Sequence, residues 1–231
     1  MSSATVTHVE RREGEVLTAL AAARIVPVAT FDDADHAEAV GRTLVAAGLP
    51  CLEVALRTSA AAAALRAARG VPGLLLGAGT VLDPAQAELA AELGADFAVS
   101  PGLDEAVAAA CRDLGLPLVP GAATATEAAR ARRLGFRAIK LFPAAPLGGP
   151  AFVRALAEAS AGLRFLPTGG IGPDDVADYL AIPSVLAVGG SWLVPRERLL
   201  DGGVEEVRRL AEAAVAIVRR VDAGAASQRA R

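Results

Sequence analysis

Cys51-Leu52-Glu53-Val54-Ala55-Leu56-Arg57 reads as a β-strand with two unlike faces: Leu52, Val54 and Leu56 lie on one, Glu53 and Arg57 on the other. In a closed barrel, strand side chains alternate between the enclosed space and the surrounding helices. The aliphatic face therefore belongs against helices, and the carboxylate and guanidinium belong inside, toward the C-terminal mouth.

Outward from this stretch, one unit repeats from Val16 onward: a short apolar run, a turn rich in glycine or polar residues, and an alanine-rich helical stretch. The runs are Ile25–Ala29, Cys51–Leu56, Leu74–Ala78, Phe97–Val99, Leu118–Val119, Ala138–Leu141, Phe165–Leu166 and Val185–Val188. Their starts recur about every 20 to 27 residues, the length of a βα unit with short loops, which predicts a parallel eight-stranded (β/α)8 TIM barrel. An open doubly wound sheet usually has fewer strands and one glycine-rich fingerprint after its first strand, whereas here glycines follow nearly every run.

Helix signals fall between the runs. Asp83-Pro84 supplies an N-cap and a first-turn proline, with Gly94 as the stop, and Thr124 and Glu127 have capping-box spacing. Asp33 or Asp35 opens a helix that Gly48 and Pro50 close, and Gly115 and Pro117 close another. After Gly203, the residues Val204, Val207, Ala211, Ala214, Val218 and Val221 form the single apolar stripe of a last helix. The 231 residues suit one domain, ordered from about residue 10 to about residue 222 with frayed ends.

The apolar fraction is 53% but aromatics are only 3%, so Val and Leu carry most of the core. A net charge of −3 leaves no basic footprint for nucleic acid, and no basic amphipathic face stands out for a membrane. Small molecules are the expected partners. The segment from Met1 to Glu15 lacks the apolar centre of a secretory signal, and no apolar run reaches the roughly 18 residues of a spanning helix. Cys51 and Cys111, far apart and in no C-x-x-C pair, read as buried thiols in a reducing compartment. These features predict a soluble cytoplasmic protein.

Lys140 is the only lysine in the chain; every other basic side chain is an arginine. At an exposed site arginine replaces lysine with little loss, but it cannot supply a deprotonatable amine. Lys140 also lies within an apolar run, where Ile139 and Leu141 point outward and Ala138, Lys140 and Phe142 inward. Lys140, Glu53 and Arg57 are thus expected to converge. The structural alternative is a buried ion pair serving only the core, yet such pairs add little stability because desolvation offsets their attraction. Ionisable groups gathered in an interior point instead to a site. An amine attacks a carbonyl as the free base, a carboxylate can then move protons on and off the adduct, and an arginine can clamp a substrate carboxylate through two parallel bonds.

Small residues mark the other strand ends, in Gly77-Ala78-Gly79-Thr80, Ser100-Pro101-Gly102 and Pro120-Gly121. Thr168-Gly169-Gly170 ends the seventh run and Gly189-Gly190-Ser191 the eighth, the two places where barrels often bind phosphate through backbone N–H groups. His8 and His36 are the only histidines, so neither a metal site nor a serine–histidine pairing is expected.

With these motifs in place, the chain resembles the class I aldolases that cleave 2-dehydro-3-deoxy-phosphogluconate (KDPG), together with the overlapping 4-hydroxy-2-oxoglutarate (KHG) aldolases. The resemblance runs from about Arg24 to Pro195. It rests on Leu52–Thr58, Gly77–Leu82, Ser100-Pro101-Gly102, Pro120-Gly121 with Thr124 and Glu127, Lys140-Leu141-Phe142-Pro143-Ala144, Pro167–Ile171 and Gly189–Leu193, all in one order. It implies Lys140 as the Schiff-base lysine and Glu53 as the general acid/base. It also implies Arg57 and Thr80 on the pyruvyl carboxylate, Pro101 and Phe142 shaping the pocket, and Thr168, Gly169, Gly170, Gly190 and Ser191 around the aldehyde half and its phosphate. Further implications are a (β/α)8 barrel, a homotrimer, no metal, no cofactor and a 2-keto-3-deoxy acid substrate. The pattern departs at Ala145, where members often carry glutamate. KHG or a galactonate epimer is the alternative substrate, and a phosphate-binding barrel that isomerises or senses a sugar phosphate is the alternative from another class.

Overall fold

Alternating strands and capped helices build the computed structural model, which describes residues 3–199 and 203–229. Along the chain run α1 (Ser3–Ala23), β1 (Ile25–Ala29), α2 (Ala37–Ala47), β2 (Cys51–Ala55), α3 (Ala61–Arg69), β3 (Leu75–Gly79), α4 (Pro84–Glu92) and β4 (Phe97–Val99). Then follow α5 (Glu105–Asp113), β5 (Leu118–Val119), β6 (Gly121–Ala122), α6 (Ala125–Arg133), β7 (Ala138–Leu141), α7 (Gly149–Ala159), β8 (Arg164–Pro167) and α8 (Val176–Leu180). The last elements are β9 (Val188–Gly190), α9 (Arg196–Leu199) and α10 (Val204–Arg229).

The caps lie where the sequence puts them. Asp83 accepts from Gln86 N–H at 2.8 Å with Pro84 in the first turn of α4. At α6, Thr124 Oγ1 accepts from Glu127 N–H while Glu127 Oε2 accepts from the N–H of Ala123, one residue before the cap, a close variant of the capping box. Asp33 caps a short 3-10 turn, Ala34–His36, that precedes α2, and Gly48 ends α2 at φ 88°, where any side chain would be strained.

All strand pairings are parallel. They form a curled, TIM-barrel-like α/β arrangement, but the single eight-stranded ladder expected from the sequence is not what is recorded. One sheet has six strands in the order β5-β4-β3-β2-β1-β9, and a second has three, β6-β7-β8. The break has a chemical cause. Pro120 has no N–H to donate, so the fifth run is split into β5 and β6. Pro167 likewise withholds an amide, and β8 meets the last strand only at the isolated bridges Phe165–Val185 and Thr168–Gly189.

Two buried clusters follow from the alternation. The outward residues Leu52, Val54, Leu76, Ile139, Leu141 and Phe165 pack with the helices. The inward residues Val26, Cys51, Phe97, Val119, Ala138 and Leu166 pack with Val16, Leu20 and Ala23 of α1. The first helix thus closes the concave face from the N-terminal side of the strands and leaves the C-terminal side for a site. Each fully buried Leu or Val contributes about 1.5–3 kcal/mol, and a one-residue slip would turn every such face over, so the register is firmly set.

Helix α1 begins at Ser3, before residue 10 where order was expected to start, and α10 continues past residue 222 to Arg229. Met1, Ser2, Ala230 and Arg231, the extremes of the ends expected to fray, lie outside the described residues. Among the described residues no helix is long and apolar enough to cross a membrane.

Candidate active site

The inward parity of β2 and β7 carries Glu53 and Lys140 into the concave face, two residues along from Cys51 and Ala138. Lys140 Nζ donates to Glu53 Oε1 at 3.0 Å, and the two side chains are 5% and 1% exposed. The second carboxylate oxygen, Glu53 Oε2, is buried with no hydrogen-bond partner in the protein. Unpaired buried acceptors are costly, which sets this oxygen apart from its hydrogen-bonded neighbour. The ammonium also lies 5.6 Å from the centre of the Phe142 ring, within reach of its π face.

Glycine makes room for the carboxylate. A Cβ on Gly79, the last residue of β3, would lie 2.3 Å from Glu53 Oε1, so any side chain there would displace the group from its lysine. Below the pair, burial, reinforced by the charges of Glu53 and Asp96, pushes the Cys51 thiol far above the usual thiol range. Cys51 is therefore a neutral filler of the interior, not a second nucleophile.

Arg57 departs from the expectation of three charges in the interior. It lies beyond the end of β2, where the chain has left the sheet, and its side chain is exposed on the rim. Its Nε–H donates to Thr80 Oγ1 at 3.1 Å. Thr80 adopts φ 61°, a left-handed conformation that is a genuine outlier for a β-branched residue. Such strain persists where surrounding structure imposes it, and here it aims the Thr80 hydroxyl at Arg57. Lys140 and Glu53 thus meet inside, while Arg57 and Thr80 meet at the mouth.

The remaining residues line the same end of the strands. Thr168 is buried at the end of β8 and bridged to Gly189, whose Cβ would lie 2.3 Å from Thr168 Oγ1. Gly169 and Gly170 take φ 99° and 74°, and a Cβ on Gly169 would lie 3.0 Å from the Phe142 ring. The loop after β7 is stitched to this turn by Ala144 N–H to Thr168 O at 2.8 Å and Ala145 N–H to Gly169 O at 3.0 Å. A Cβ on Gly170 would lie 2.9 Å from Ala145 Cβ, so the turn packs closely on the loop after β7 only with glycine at 170. Pro101 packs against β6, where a Cβ on Gly121 would fall 2.1 Å from its carbonyl. Ser191 is exposed, and the Cβ direction of Gly190 faces Trp192.

Sequence reasoning placed Gly79 and Gly189 in glycine-rich strand ends but gave neither of them a role in seating Glu53 or Thr168. The signal available was their position one step short of Thr80 and two short of Ser191, at strand ends where inward side chains crowd. Among the described residues no three His, Cys, Asp or Glu side chains gather as a metal site would require.

A parallel α/β fold with a buried lysine–carboxylate pair facing the C-terminal mouth defines a protein built for amine chemistry on a carbonyl compound. The KDPG and KHG aldolase family model matches residues 16–210. The chain is 43% identical over 204 residues to the 2-dehydro-3-deoxy-phosphogluconate aldolase of Treponema pallidum, covering 88% of this chain and 97% of that one. Among solved structures, the KDPG aldolase of Legionella pneumophila, with pyruvate captured at low pH as a covalent carbinolamine intermediate, superposes with TM-score 0.82 and 35% identity. It covers 86% of this chain and 97% of the other. The 2-keto-3-deoxy-6-phosphogluconate aldolase of Zymomonas mobilis, solved with 3-phosphoglycerate, gives TM-score 0.80 and 38% identity over 85% of this chain and 93% of the other. The chain belongs to the KDPG and KHG aldolase family.

Proposed function

We propose that this chain is a class I aldolase, a metal-independent lyase that cleaves 2-dehydro-3-deoxy-6-phosphogluconate to pyruvate and glyceraldehyde 3-phosphate. The buried Lys140–Glu53 pair, with one carboxylate oxygen unpartnered, carries the reading. Lys140 Nζ adds to the C2 ketone, and the carbinolamine loses water to give an iminium. Glu53 removes the C4 hydroxyl proton as the C3–C4 bond breaks, and the bonding electrons pass to the iminium to form an enamine. The aldehyde leaves, a proton returns to C3, and hydrolysis releases pyruvate and the free amine. One oxygen of Glu53 holds the lysine while the other moves protons, which is the division of labour general acid/base catalysis asks for.

Arg57 and Thr80 are the proposed partners of the substrate carboxylate at the mouth, with Pro101 and Phe142 shaping the pocket. Thr168, Gly169, Gly170, Gly190 and Ser191 are the proposed surroundings of the aldehyde half and its phosphate. The two sheets and the bridges between β8 and β9 are read as one closed (β/α)8 barrel, folded as a single domain. A cytoplasmic homotrimer is the proposed form of the enzyme in the cell.

The test is a pyruvate-release assay on a substrate panel with EDTA present. The phosphorylated six-carbon acid should exceed 4-hydroxy-2-oxoglutarate in kcat/KM by at least about tenfold, because a site built for phosphate penalises a substrate lacking it. Equal or reversed preference would assign the chain to KHG, and loss of activity on chelation would point to a metal aldolase.

A further inference from the structure

Four loops at the C-terminal ends of the strands are tied together by side chains outside the Lys140–Glu53 pair. Arg196, which opens α9 shortly after β9, sets Nε and Nη2 against Oδ2 and Oδ1 of Asp32. Two parallel bonds thus join the loop after the last strand to the loop after the first. The next residue back, Phe31, accepts the Thr58 hydroxyl on its carbonyl and so reaches the loop after β2. Arg57, beside Thr58, continues to Thr80 after β3. The result is a belt from the segment bearing Ser191 to the guanidinium proposed to hold the substrate carboxylate.

The belt is rooted where it meets the core. Phe31 and Leu193 are both 0% exposed and Val194 2%. Val194 N–H donates to Ser191 O, and the N–H groups of Arg198 and Leu199 both donate to Pro195 O, so residues 191–194 and 195–199 form two consecutive turns joined through the chain between the buried Val194 and Pro195. Arg196 follows Ser191 by five residues, with the buried Leu193 and Val194 between them. The Arg196 and Asp32 side chains are themselves 53% and 34% exposed. Ion pairs this exposed contribute little to folding, whereas a bidentate arginine–carboxylate pair fixes orientation. The hydrogen bond from Arg196 also holds the Asp32 carboxyl below the usual carboxylate range.

We propose that Asp32 and Arg196 are positioning residues that hold the Ser191 segment at a set distance from Arg57 and so fix the aldehyde end of the substrate. The inference rests on the aldolase reading, and the test separates the two.

Arg196→Gln, Asp32→Asn and the exchange Asp32→Arg with Arg196→Asp are compared with the wild-type full chain in two assays: borohydride trapping of pyruvate, and steady-state kinetics on the phosphorylated keto acid. Misplacement by about 1 Å can cost on the order of a hundredfold, so loss of a surface tether is expected to raise KM about three- to tenfold with kcat within about twofold. Trapping should match wild type, and the exchange should return KM to within about twofold of it. Unchanged KM in both single variants with trapping intact overturns the positioning role alone. So does a raised KM that the exchange fails to restore, or trapping that declines in step with KM. A wild-type chain that traps no pyruvate overturns the aldolase reading and the positioning role with it.

Discussion

Lys140 Nζ donates to Glu53 Oε1 at 3.0 Å across 87 positions of sequence, and the other Glu53 oxygen is buried with nothing from the protein on it. The contact joins β7 to β2 across the concave face, so its geometry is set by the sheet rather than by a loop. Desolvation offsets the attraction of such a pair, and a pair of aliphatic side chains would serve the core as well or better.

Glu53→Gln keeps the shape and removes the base, so kcat should decline by a factor of about a hundred to ten thousand with little change in fold. Glu53→Leu strands a buried ammonium and should destabilise the protein by about 3–5 kcal/mol; pairing it with Lys140→Met should recover most of that loss. Turnover and urea midpoints of the three variants check both statements.

Gly79→Ala introduces a Cβ 2.3 Å from Glu53 Oε1, whereas Gly102→Ala meets nothing within 4 Å. The first variant should lose at least about a hundredfold in kcat/KM through displacement of the carboxylate, and the second should stay within about threefold of wild type. Similar losses in both would contradict the account of how Glu53 is placed.

Thr80→Gly should relieve about 1–3 kcal/mol of backbone strain at φ 61°, offset by the greater freedom of an unfolded glycine. Stability is then expected within about 1 kcal/mol of wild type, while the loss of the hydroxyl that fixes Arg57 raises KM for the keto acid about tenfold. Thr80→Ser, which keeps the hydroxyl, should show the smaller effect on KM.

Burial pushes the Cys111 thiol up from 9.0 to about 11. Its neutral form is favoured in the fold, so its contribution is fully present below the unfolded value and is lost as pH rises from 9 through about 11. The decline attributable to Cys111 is about 2–3 kcal/mol, and Cys111→Ala should flatten that part of the alkaline stability profile measured by urea titration.

Much of this was legible in the chain. The alternation in residues 51–57 and 138–142 put Glu53 and Lys140 on one inward face, and both lie there in contact. The caps at Asp83 and Thr124 were equally plain, because they act within one helical turn. Arg57 was misplaced because a period of two holds only while the strand lasts, and β2 ends at Ala55. The split of the fifth run at Pro120 carried its own signal, a missing amide donor, but its effect depends on a neighbouring strand. The closing helix α1 and the Asp32–Arg196 tie were not legible at all, since each depends on partners distant in sequence and on no local pattern.

Borohydride reduction with pyruvate, followed by peptide mass analysis, tests the central claim most directly. A reduced pyruvyl adduct on the peptide containing Lys140, absent from Lys140→Arg together with turnover, is the predicted result. An unmodified Lys140 peptide, or full cleavage activity in the arginine variant, would contradict an imine at this nitrogen.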